Sequence, residues 1–530
     1  MGSFRMLPWC SFVLLLSTLL DFARAIEIDV NDADSIKQAT RVFAHGIMDY
    51  YNGNQTDGTP GKFTWPYYWW EAGAAWGSLI DYWFYSGDAT FNQIVTDALL
   101  ANVGPNNNYM PESEATTEGN DDQAFWGFAV MAAAERNFTS PPDGQPQWRE
   151  LSEAVFWSMA ARWDTSTCNG GLRWQIFESN NGYDYKNTIS NAGMFLMAAR
   201  LARYTGNVAY VDWAERIWNW IEGVGLLDPE YYYFYDGASV TDNCTSITTY
   251  QWSYSAACFL AGSAYLYNFT QLSMWGDRTQ NILNGLQVFF DGESGGVMYE
   301  VACELTQKCN TDMRSFKAYL SRFMGLTALL APWTYDTIYA HLVNTIVNGI
   351  AQSCTGGYDG VTCGTSWLVQ GWDNTAGLGQ QMSALETVQN LLINQVPGPY
   401  TGSILPSPEA SAEVSQSSEL SQPSGSSRLF ESSESSESSE SSESSQSSEP
   451  SESSESSQSS VPSESSQPSQ SSQSSQSSQS SQPSESSQPS ATENTSNDNE
   501  RSTGDRAGDK IINGQLDVCQ CGIRKSGVIA

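Results

Sequence analysis

Two adjacent carboxylates open the stretch of this sequence that is best suited to chemistry. Asp121 and Asp122 follow Asn120 and open a stretch that leads into the apolar, Ala-rich segment 130–134, which predicts a helix that begins here. Asn120 is the predicted N-cap, because its side-chain oxygen can accept a backbone N–H. Acids in a first turn are also favoured by the helix dipole, so helix capping and chemistry are both open interpretations of the pair.

The two aspartates could divide an acid–base reaction between them. Neighbouring helical residues point about 100° apart, so Asp121 and Asp122 can reach different atoms of one substrate. Two close carboxylates do not both ionise easily, and we expect the pKa of one to rise and that of the other to fall. A carboxylate beside a protonated carboxyl is the pair that a retaining glycosidase uses as nucleophile and general acid.

Composition argues against several other classes of function. The 530 residues carry a formal net charge of -35, which disfavours nucleic acid as a partner. The two histidines, His45 and His341, have no neighbours for a triad or a zinc site, and we interpret both as structural. The sequence indicates no cofactor and no metal cluster; calcium at the loops around Asp291 and Asp359 is left open.

The 19 tryptophans and 25 tyrosines suit either a packed core or a cleft whose rings stack on sugars.

The spacing of apolar residues predicts an all-α domain. Breakers such as Pro141-Pro142 and Gly206-Asn207 separate twelve helical patterns. Twelve helices in six hairpins predict an (α/α)6 barrel, with a solenoid of helical pairs as the competing architecture, although no fixed-period repeat is present. The predicted helices are 33–51, 69–85, 89–101, 121–136, 147–161, 188–204, 208–222, 248–268, 274–290, 314–330, 335–351 and 375–392.

The ends of the chain differ in composition from this helical part. Residues 1–25 have the basic start, apolar run and Ala-Arg-Ala ending of a signal peptide. The glycosidase-like domain is predicted at 26–398. Residues 399–500, rich in Ser, Glu, Gln and Pro, predict a disordered, O-glycosylated stalk. The tail, 501–530, lacks the hydrophobic run of about 10–20 residues that a GPI signal needs.

Cysteines and sequons are typical of a secreted glycoprotein. Ten cysteines indicate an oxidising compartment. Cys168 and Cys244 could pair, and Cys258 is predicted to be a buried free thiol. Two local disulfides are predicted, Cys303 with Cys309 and Cys354 with Cys363. N-glycosylation sequons begin at Asn54, Asn137, Asn243, Asn268 and Asn494.

The helical part also carries short motifs in a fixed order. Each is weak alone, but their order and spacing together resemble glycoside hydrolase family 76, in its fungal cell-wall branch of the defective-in-filamentous-growth and defective-cell-wall type. The resemblance covers residues 26–392. The motifs are Gly-Asn-Asp-Asp-Gln-Ala-Phe-Trp at 119–126, Gly-Gly-Leu-Arg-Trp-Gln at 170–175, Tyr-Lys-Asn at 185–187, Arg-Leu-Ala-Arg-Tyr-Thr-Gly-Asn at 200–207, Gln-Trp-Ser-Tyr at 251–254, Leu-Ser-Arg at 320–322 and Gly-Gln-Gln-Met-Ser-Ala-Leu-Glu at 379–386.

This resemblance implies an (α/α)6 barrel and a mannan endo-1,6-alpha-mannosidase that retains configuration. Carried over to this chain, Asp121 is the nucleophile and Asp122 the general acid/base, and the sequence leaves the order of the two roles open. The implied substrate is alpha-1,6-mannan or the mannose of a GPI glycan, with wall glucan as a possible acceptor. Hydrolysis and transglycosylation are both open, because water or a sugar hydroxyl can open a glycosyl-enzyme.

Candidate substrate-binding residues come from the aromatic loops and from these motifs. Rings can stack on sugars and amides can bind hydroxyl groups, although a structural role is an equally good interpretation of each residue. Gln123, directly after the pair, could orient a carboxylate. The other candidates are Trp69, Trp70, Trp174, Tyr185, Asn187, Asn191 and Tyr254.

The predicted location is outside the cell, in the medium, in the wall or at the outer face of the plasma membrane. In this branch a Gly-Asp-(Lys/Arg)-Ala-Gly segment commonly precedes an apolar GPI signal. Here residues 504–508 supply the segment, but a polar ending follows, so the sequence leaves membrane anchoring open. The alternative function is a non-catalytic, wall-associated mannan-binding glycoprotein. The intact Asp121–Asp122 pair argues against it, since a pure binder has no need of two crowded carboxylates.

Overall fold

The computed structural model describes residues 26–114 and 116–402. The predicted signal peptide, stalk, tail and the sequon at Asn494 therefore lie outside the described residues. Within them, helices dominate and follow the predicted order: α1 (Ala33–Met48), α2 (Trp69–Ser86), α3 (Asn92–Ala101), α4 (Asn120–Glu135), α5 (Trp148–Ala160), α6 (Thr188–Thr205), α7 (Ala209–Val224), α8 (Ser253–Thr270), α9 (Ser273–Gly285), α10 (Phe316–Leu330), α11 (Tyr335–Thr345) and α12 (Leu378–Gln389). A π-helical turn, Ile346–Ile350, extends α11.

The even-numbered helices form a closed inner ring. Helix α2 packs on α4, α4 on α6, α6 on α8, α8 on α10, α10 on α12, and α12 returns to α2. These helices are apolar on most sides; in α4 every residue from Gln123 to Ala133 is buried. The odd-numbered helices, such as α7, bury one face against the ring. The predicted (α/α)6 barrel is confirmed, and closure of the ring excludes the solenoid.

Short strands occupy three of the long loops. Strands β1 (Tyr185–Asn187), β2 (Tyr235–Ser239) and β3 (Ile247–Gln251) form an antiparallel sheet in the order β1-β2-β3. A second hairpin pairs β4 (Phe290–Asp291) with β5 (Val297–Met298). The predicted helix at 248–268 is wrong in its first turn, because β3 runs to Gln251 and α8 begins at Ser253. The β-branched and aromatic residues of 247–250 favour the strand.

Buried arginines join the inner helices below the loops. Arg200 of α6 donates to Glu135 of α4 at 3.0 and 2.7 Å, and Tyr265 of α8 donates to the same oxygen at 2.9 Å. Arg322 of α10 forms the corresponding link to Glu386 of α12 and to Asp81 of α2. Since a buried charge needs a partner, these pairs fix the order of the ring.

Three disulfides secure loops of the domain. Cys303 is bonded to Cys309, Cys354 to Cys363, and Cys168 to Cys244. Cys258 is buried and free, as predicted. Within the described residues, no helix combines the length and the apolar character needed to cross a membrane.

The four sequons in the described part differ in accessibility. Asn54, Asn137 and Asn243 are exposed. Asn268 lies inside α8, where its amide nitrogen donates to the Leu330 carbonyl at 3.3 Å. Glycosylation at the first three stays a prediction, and Asn268 is the least accessible of the four.

The Arg200 link gives a stability prediction. Replacing Arg200 with Ala leaves Glu135 charged and buried, and we expect the free energy of unfolding to fall by about 3–5 kcal/mol. Urea unfolding of the purified chain measures this loss. The control is Arg149→Ala, which breaks an exposed pair with Glu153 (3.5 Å) and should cost less than about 1 kcal/mol. Equal losses in the two variants would contradict the account.

Candidate active site

The N-terminal ends of the inner helices meet at one end of the barrel, around an opening that we call the cleft. Four contacts join these ends across the ring. Asn187, before α6, donates to Asp121 of α4 at 3.3 Å. Trp70 of α2 donates to Asp312, just before α10, at 3.2 Å. The Tyr254 ring of α8 stacks on Phe316 of α10 (centroids 3.8 Å apart), and the Tyr67 hydroxyl accepts the backbone N–H of Leu378 in α12 at 3.1 Å.

This arrangement directs the positive ends of the inner-helix dipoles towards the cleft. Each helix N-terminus has backbone N–H groups without intrahelical partners and carries about half a positive charge. Carboxylates placed there gain stabilisation, which explains why acids begin or precede several inner helices. The scaffold thus favours negative charge at the point where the aspartate pair lies.

Asp121 lies in the first turn of α4 and is partly exposed. Its Oδ2 accepts the Asn187 amide, whereas its Oδ1 is buried without a hydrogen-bond partner among the described residues. A Cβ at Gly119 would lie 2.3 Å from that Oδ1, so only glycine fits beneath the carboxylate. A buried oxygen without a partner is unusual in a folded protein and marks this carboxylate as a candidate functional group.

Asp122, the next residue, accepts a hydrogen bond that caps the start of α4. Its Oδ2 accepts the Gly119 backbone N–H at 2.7 Å, which caps α4. The prediction that Asn120 is the N-cap is wrong: Gly119 occupies that position and Asn120 begins the helix. The Asn120 side chain instead donates to the Arg173 carbonyl at 2.9 Å and accepts from Arg162 at 2.8 Å.

Burial dominates the pKa values of the pair. It raises the pKa of Asp121 to about 7, while hydrogen bonds from Asn187 and the backbone act in the opposite direction. Burial, followed by the nearby charge of Asp121, raises the pKa of Asp122 well above its usual value. The prediction that one pKa would fall is wrong, because loss of water disfavours both charges. The charge of Asp121 also adds to the cost of ionising Asp122.

A third carboxylate, Asp312, belongs to the same cluster, and sequence reasoning missed it. Burial raises its pKa to about 6, against hydrogen bonds from Trp70 and Asn310, and its charge contributes to the raised pKa of both Asp121 and Asp122. Asp312 is far from the pair along the chain, and its neighbours in sequence, Thr311 and Met313, give no sign of a site. Only the closed ring, which brings the start of α10 to the same end of the barrel as the starts of α2 and α4, reveals it.

Two buried glutamates flank the cluster. Glu71, in the first turn of α2, accepts the Tyr68 N–H at 3.1 Å, and burial raises its pKa well above the usual value. Glu118 is buried, and neither of its carboxylate oxygens has a partner in the described part of the chain. Burial, then the charge of Asp122, raises the pKa of Glu118 to about 10. Glu118 is therefore neutral at pH 7, and the raised pKa of Glu71 favours its neutral form.

Four of the predicted binding residues reach the cleft. Asn187 and Trp70 contact Asp121 and Asp312 as described. The Tyr185 hydroxyl donates to Asp236 at 2.6 Å, and the indole of Trp252 donates to the other oxygen of the same carboxylate at 2.8 Å. Tyr254 stacks on Phe316. Asp236 was not predicted; it fixes the aromatic wall that these residues form.

The other predicted binding residues have structural contacts. Gln123 donates to the Asn108 carbonyl and accepts from Arg162, so the prediction that it orients a carboxylate is wrong. Trp69 is buried, stacks on Trp126 and donates to Asn102.

Asn191 and Trp174 act mainly as supports of the loop before α6. The Asn191 side chain accepts the Leu172 N–H at 2.8 Å and donates to the Leu172 carbonyl at 3.1 Å. Trp174 is half-buried. Its backbone N–H donates to the Tyr185 carbonyl, and its carbonyl accepts the Asn120 N–H. Within residues 26–114 and 116–402, no group of three or more His, Cys, Asp or Glu residues is placed to hold a metal ion.

Comparison with known proteins agrees with this geometry. The chain is 55% identical over 408 residues to "Mannan endo-1,6-alpha-mannosidase DCW1" of Candida albicans, covering 76% of this chain and 90% of that protein. The crystal structure of Dfg5 from Chaetomium thermophilum in complex with glucosamine superposes with a TM-score of 0.69 and 40% identity, over 74% of this chain and 100% of that one.

A more distant structure shares the fold alone. It is the alpha-1,6-mannanase GH76A of Salegentibacter sp. HEL1_6, in an inactive variant bound to alpha-1,6-mannotetrose, with a TM-score of 0.55 and 16% identity over 67% of this chain and 98% of that one. Residues 35–403 of the present chain match the sequence pattern of the family described as "Glycosyl hydrolase family 76". The resemblance seen in the sequence motifs is thereby confirmed, and the chain belongs to glycosyl hydrolase family 76.

Proposed function

We propose that this protein cleaves alpha-1,6-mannosidic bonds within mannan and retains the configuration of the anomeric carbon. The observation that carries the proposal is the Asp121–Asp122 pair, two adjacent carboxyls in the first turn of one helix whose pKa values are both raised by burial. The identity of 55% to a mannan endo-1,6-alpha-mannosidase supports the choice of substrate.

We assign one role to each aspartate on two grounds. Asp121 accepts an amide N–H that stabilises its charge, and its pKa is about 7, which suits a nucleophile. Burial and the neighbouring charge of Asp121 raise the pKa of Asp122, and a raised pKa favours the protonated form that a general acid needs. This assignment agrees with the order that the family resemblance implies for the two residues.

The reaction then proceeds in two displacements. Asp121 attacks the anomeric carbon, the bond to the leaving sugar oxygen breaks, and Asp122 gives its proton to that oxygen. Asp122, now a carboxylate, takes a proton from water or from a sugar hydroxyl. The resulting nucleophile attacks the same carbon and releases Asp121. Water gives hydrolysis, whereas a hydroxyl of mannan or wall glucan gives transglycosylation.

Aromatic side chains around the pair provide surfaces for the sugar rings. We assign Trp70, Tyr185 and Tyr254 to the cleft wall from their contacts with Asp312, Asp236 and Phe316. Flat rings can cover the apolar faces of pyranoses while the amides bind hydroxyl groups. A mannan backbone or the mannose of a GPI glycan therefore suits this cleft.

We further propose an extracellular location, in the cell wall or at the outer face of the plasma membrane. Three disulfides in the described domain support an oxidising compartment. The exposed sequons at Asn54, Asn137 and Asn243 agree with secretion.

The direct test of activity is incubation of the chain with alpha-1,6-mannooligosaccharides, with and without glucan acceptors, followed by mass spectrometry. Shorter mannosides indicate hydrolysis, and longer or hybrid products indicate transglycosylation. We expect Asp121→Asn and Asp122→Asn each to lower the rate at least about 100-fold with an unchanged melting temperature. Asn at position 122 still offers an oxygen to the Gly119 N–H.

The matched control is Asp212→Asn, which alters an exposed first-turn acid of the outer helix α7 and should leave activity unchanged. Unfolding of both cleft variants would favour a capping role over catalysis. Binding of mannosides without any product in the wild-type chain would favour the non-catalytic wall protein.

The pKa values predict the acid limb of the pH profile. Because Asp121 must be ionised, kcat/KM should fall as pH drops below about 7, tenfold per pH unit at the limit. Asn187→Ser removes the N–H that stabilises the charged form, so this limb should move to higher pH. Serine still offers an N-cap oxygen for α6, and an unchanged melting temperature checks this. A limb that stays in place would contradict the role of Asn187.

A further inference from the structure

A second groove lies on the surface outside the cleft. One wall is the loop that follows α7, and the other is the C-terminal end of α9. The lining residues are Pro229, Glu230, Tyr231, Tyr232, Tyr233, Asn281, Asn284 and Gly285. The reaction proposed above uses none of them.

Two tyrosine rings stack on each other in this groove, and we call this pair the platform. The rings of Tyr231 and Tyr233 are 5.5 Å apart between centroids and within 19° of parallel, and Tyr231 is 53% exposed. Asn281 and Asn284 on the opposite wall carry amides that can both donate and accept. Exposed, nearly parallel rings opposite amides are suited to a sugar, which has an apolar face and hydroxyl edges.

The platform is held rigidly in place. The Asp228 carboxylate accepts the N–H of Glu230 at 2.9 Å, the N–H of Tyr231 at 2.8 Å and the hydroxyl of Tyr235 at 3.0 Å. At Gly285, a Cβ would lie 2.7 Å from the Tyr231 carbonyl, so the loop packs directly on the end of α9. A rigid surface loses little entropy when a ligand binds.

Tyr232, between the two stacked tyrosines, has a φ of 57°. This left-handed conformation is costly for a residue with a large side chain. Such strain persists where the surrounding structure over-determines it, and it concentrates at ligand sites. The turn at Tyr232 therefore carries a conformational free-energy cost, which a loop that only connects two helices could avoid.

One stretch of chain links the groove to the cleft. Asp236, the carboxylate that holds Tyr185 and Trp252 in the cleft wall, is three positions after Tyr233. Extended chain covers about 10 Å over that distance. Glu230 and the formal charge of -35 disfavour an anionic ligand.

We propose that the groove of Tyr231 and Tyr233 is a second carbohydrate-binding site, which holds a neighbouring part of the same neutral mannan chain that occupies the cleft. The choice of mannan as ligand rests on the proposed function. The site gives the enzyme a preference for long substrates, because two sites on one chain combine their affinities.

The test measures binding of unbranched alpha-1,6-mannan to the full chain carrying Asp121→Asn and Asp122→Asn, by isothermal titration calorimetry. Adding Tyr231→Ala and Tyr233→Ala should weaken polymer binding about tenfold, since loss of aromatic anchors commonly has effects of this size. Affinity for alpha-1,6-mannotriose, measured in parallel, should stay within twofold. Tyr231→Phe with Tyr233→Phe keeps the rings and should restore polymer binding.

The matched control is Trp333→Ala, which removes another exposed aromatic (44%) that follows the C-terminal end of α10. It should leave polymer binding unchanged. Unchanged polymer affinity in the double-alanine variant would overturn the proposal, and so would an equal loss for polymer and mannotriose, because the tyrosines would then act on the cleft itself. A wild-type chain that cleaves no mannan, while the double-alanine change still lowers polymer affinity tenfold, would refute the proposed function and support the groove.

Discussion

The closed ring of parallel inner helices is the constraint on which the rest of this structure depends. Because each inner helix is followed by an outer one that returns the chain, every inner helix presents its N-terminus at the same opening. The dipoles attract carboxylates there, whereas burial raises the pKa of each one. Asp121, Asp122 and Asp312 are held in this balance. The proposed two-step glycosyl transfer depends on this balance, because it needs one carboxylate and one protonated carboxyl.

The distribution of cations separates structural acids from chemical ones. Deeper in the barrel, Glu135 and Glu386 each have an arginine partner, and these pairs join neighbouring helices. Around the cleft, no Lys or Arg of the described residues forms an ion pair with Asp121, Asp122 or Asp312. A buried carboxylate without a cation is costly. Its presence in a stable fold is therefore a physical sign of function, and it agrees with the place of the chain in a glycosidase family.

The sequence predicted the number and order of the helices well, because apolar periodicity is a local property that survives in the barrel. It also located Asp121 and Asp122 in a first turn. It did not predict that Gly119 would be the N-cap, since the demand for glycine comes from the Asp121 carboxylate above it. Asp312 and Asp236 were missed because their roles depend on contacts between distant segments. Gln123 was misjudged, because its side-chain oxygen accepts a hydrogen bond from Arg162, which follows the end of another helix. Local patterns therefore predict elements, and long-range contacts decide which polar residues do chemistry.

The central claim is that Asp121 attacks the anomeric carbon while Asp122 supplies the proton. The most direct measurement is the anomeric configuration of the product formed first, followed by proton NMR before mutarotation during cleavage of an alpha-1,6-mannooligosaccharide. The account predicts that the alpha anomer appears first, because two displacements restore the original configuration. Appearance of the beta anomer first would mean a single displacement by water, and it would contradict the assignment of Asp121 as nucleophile.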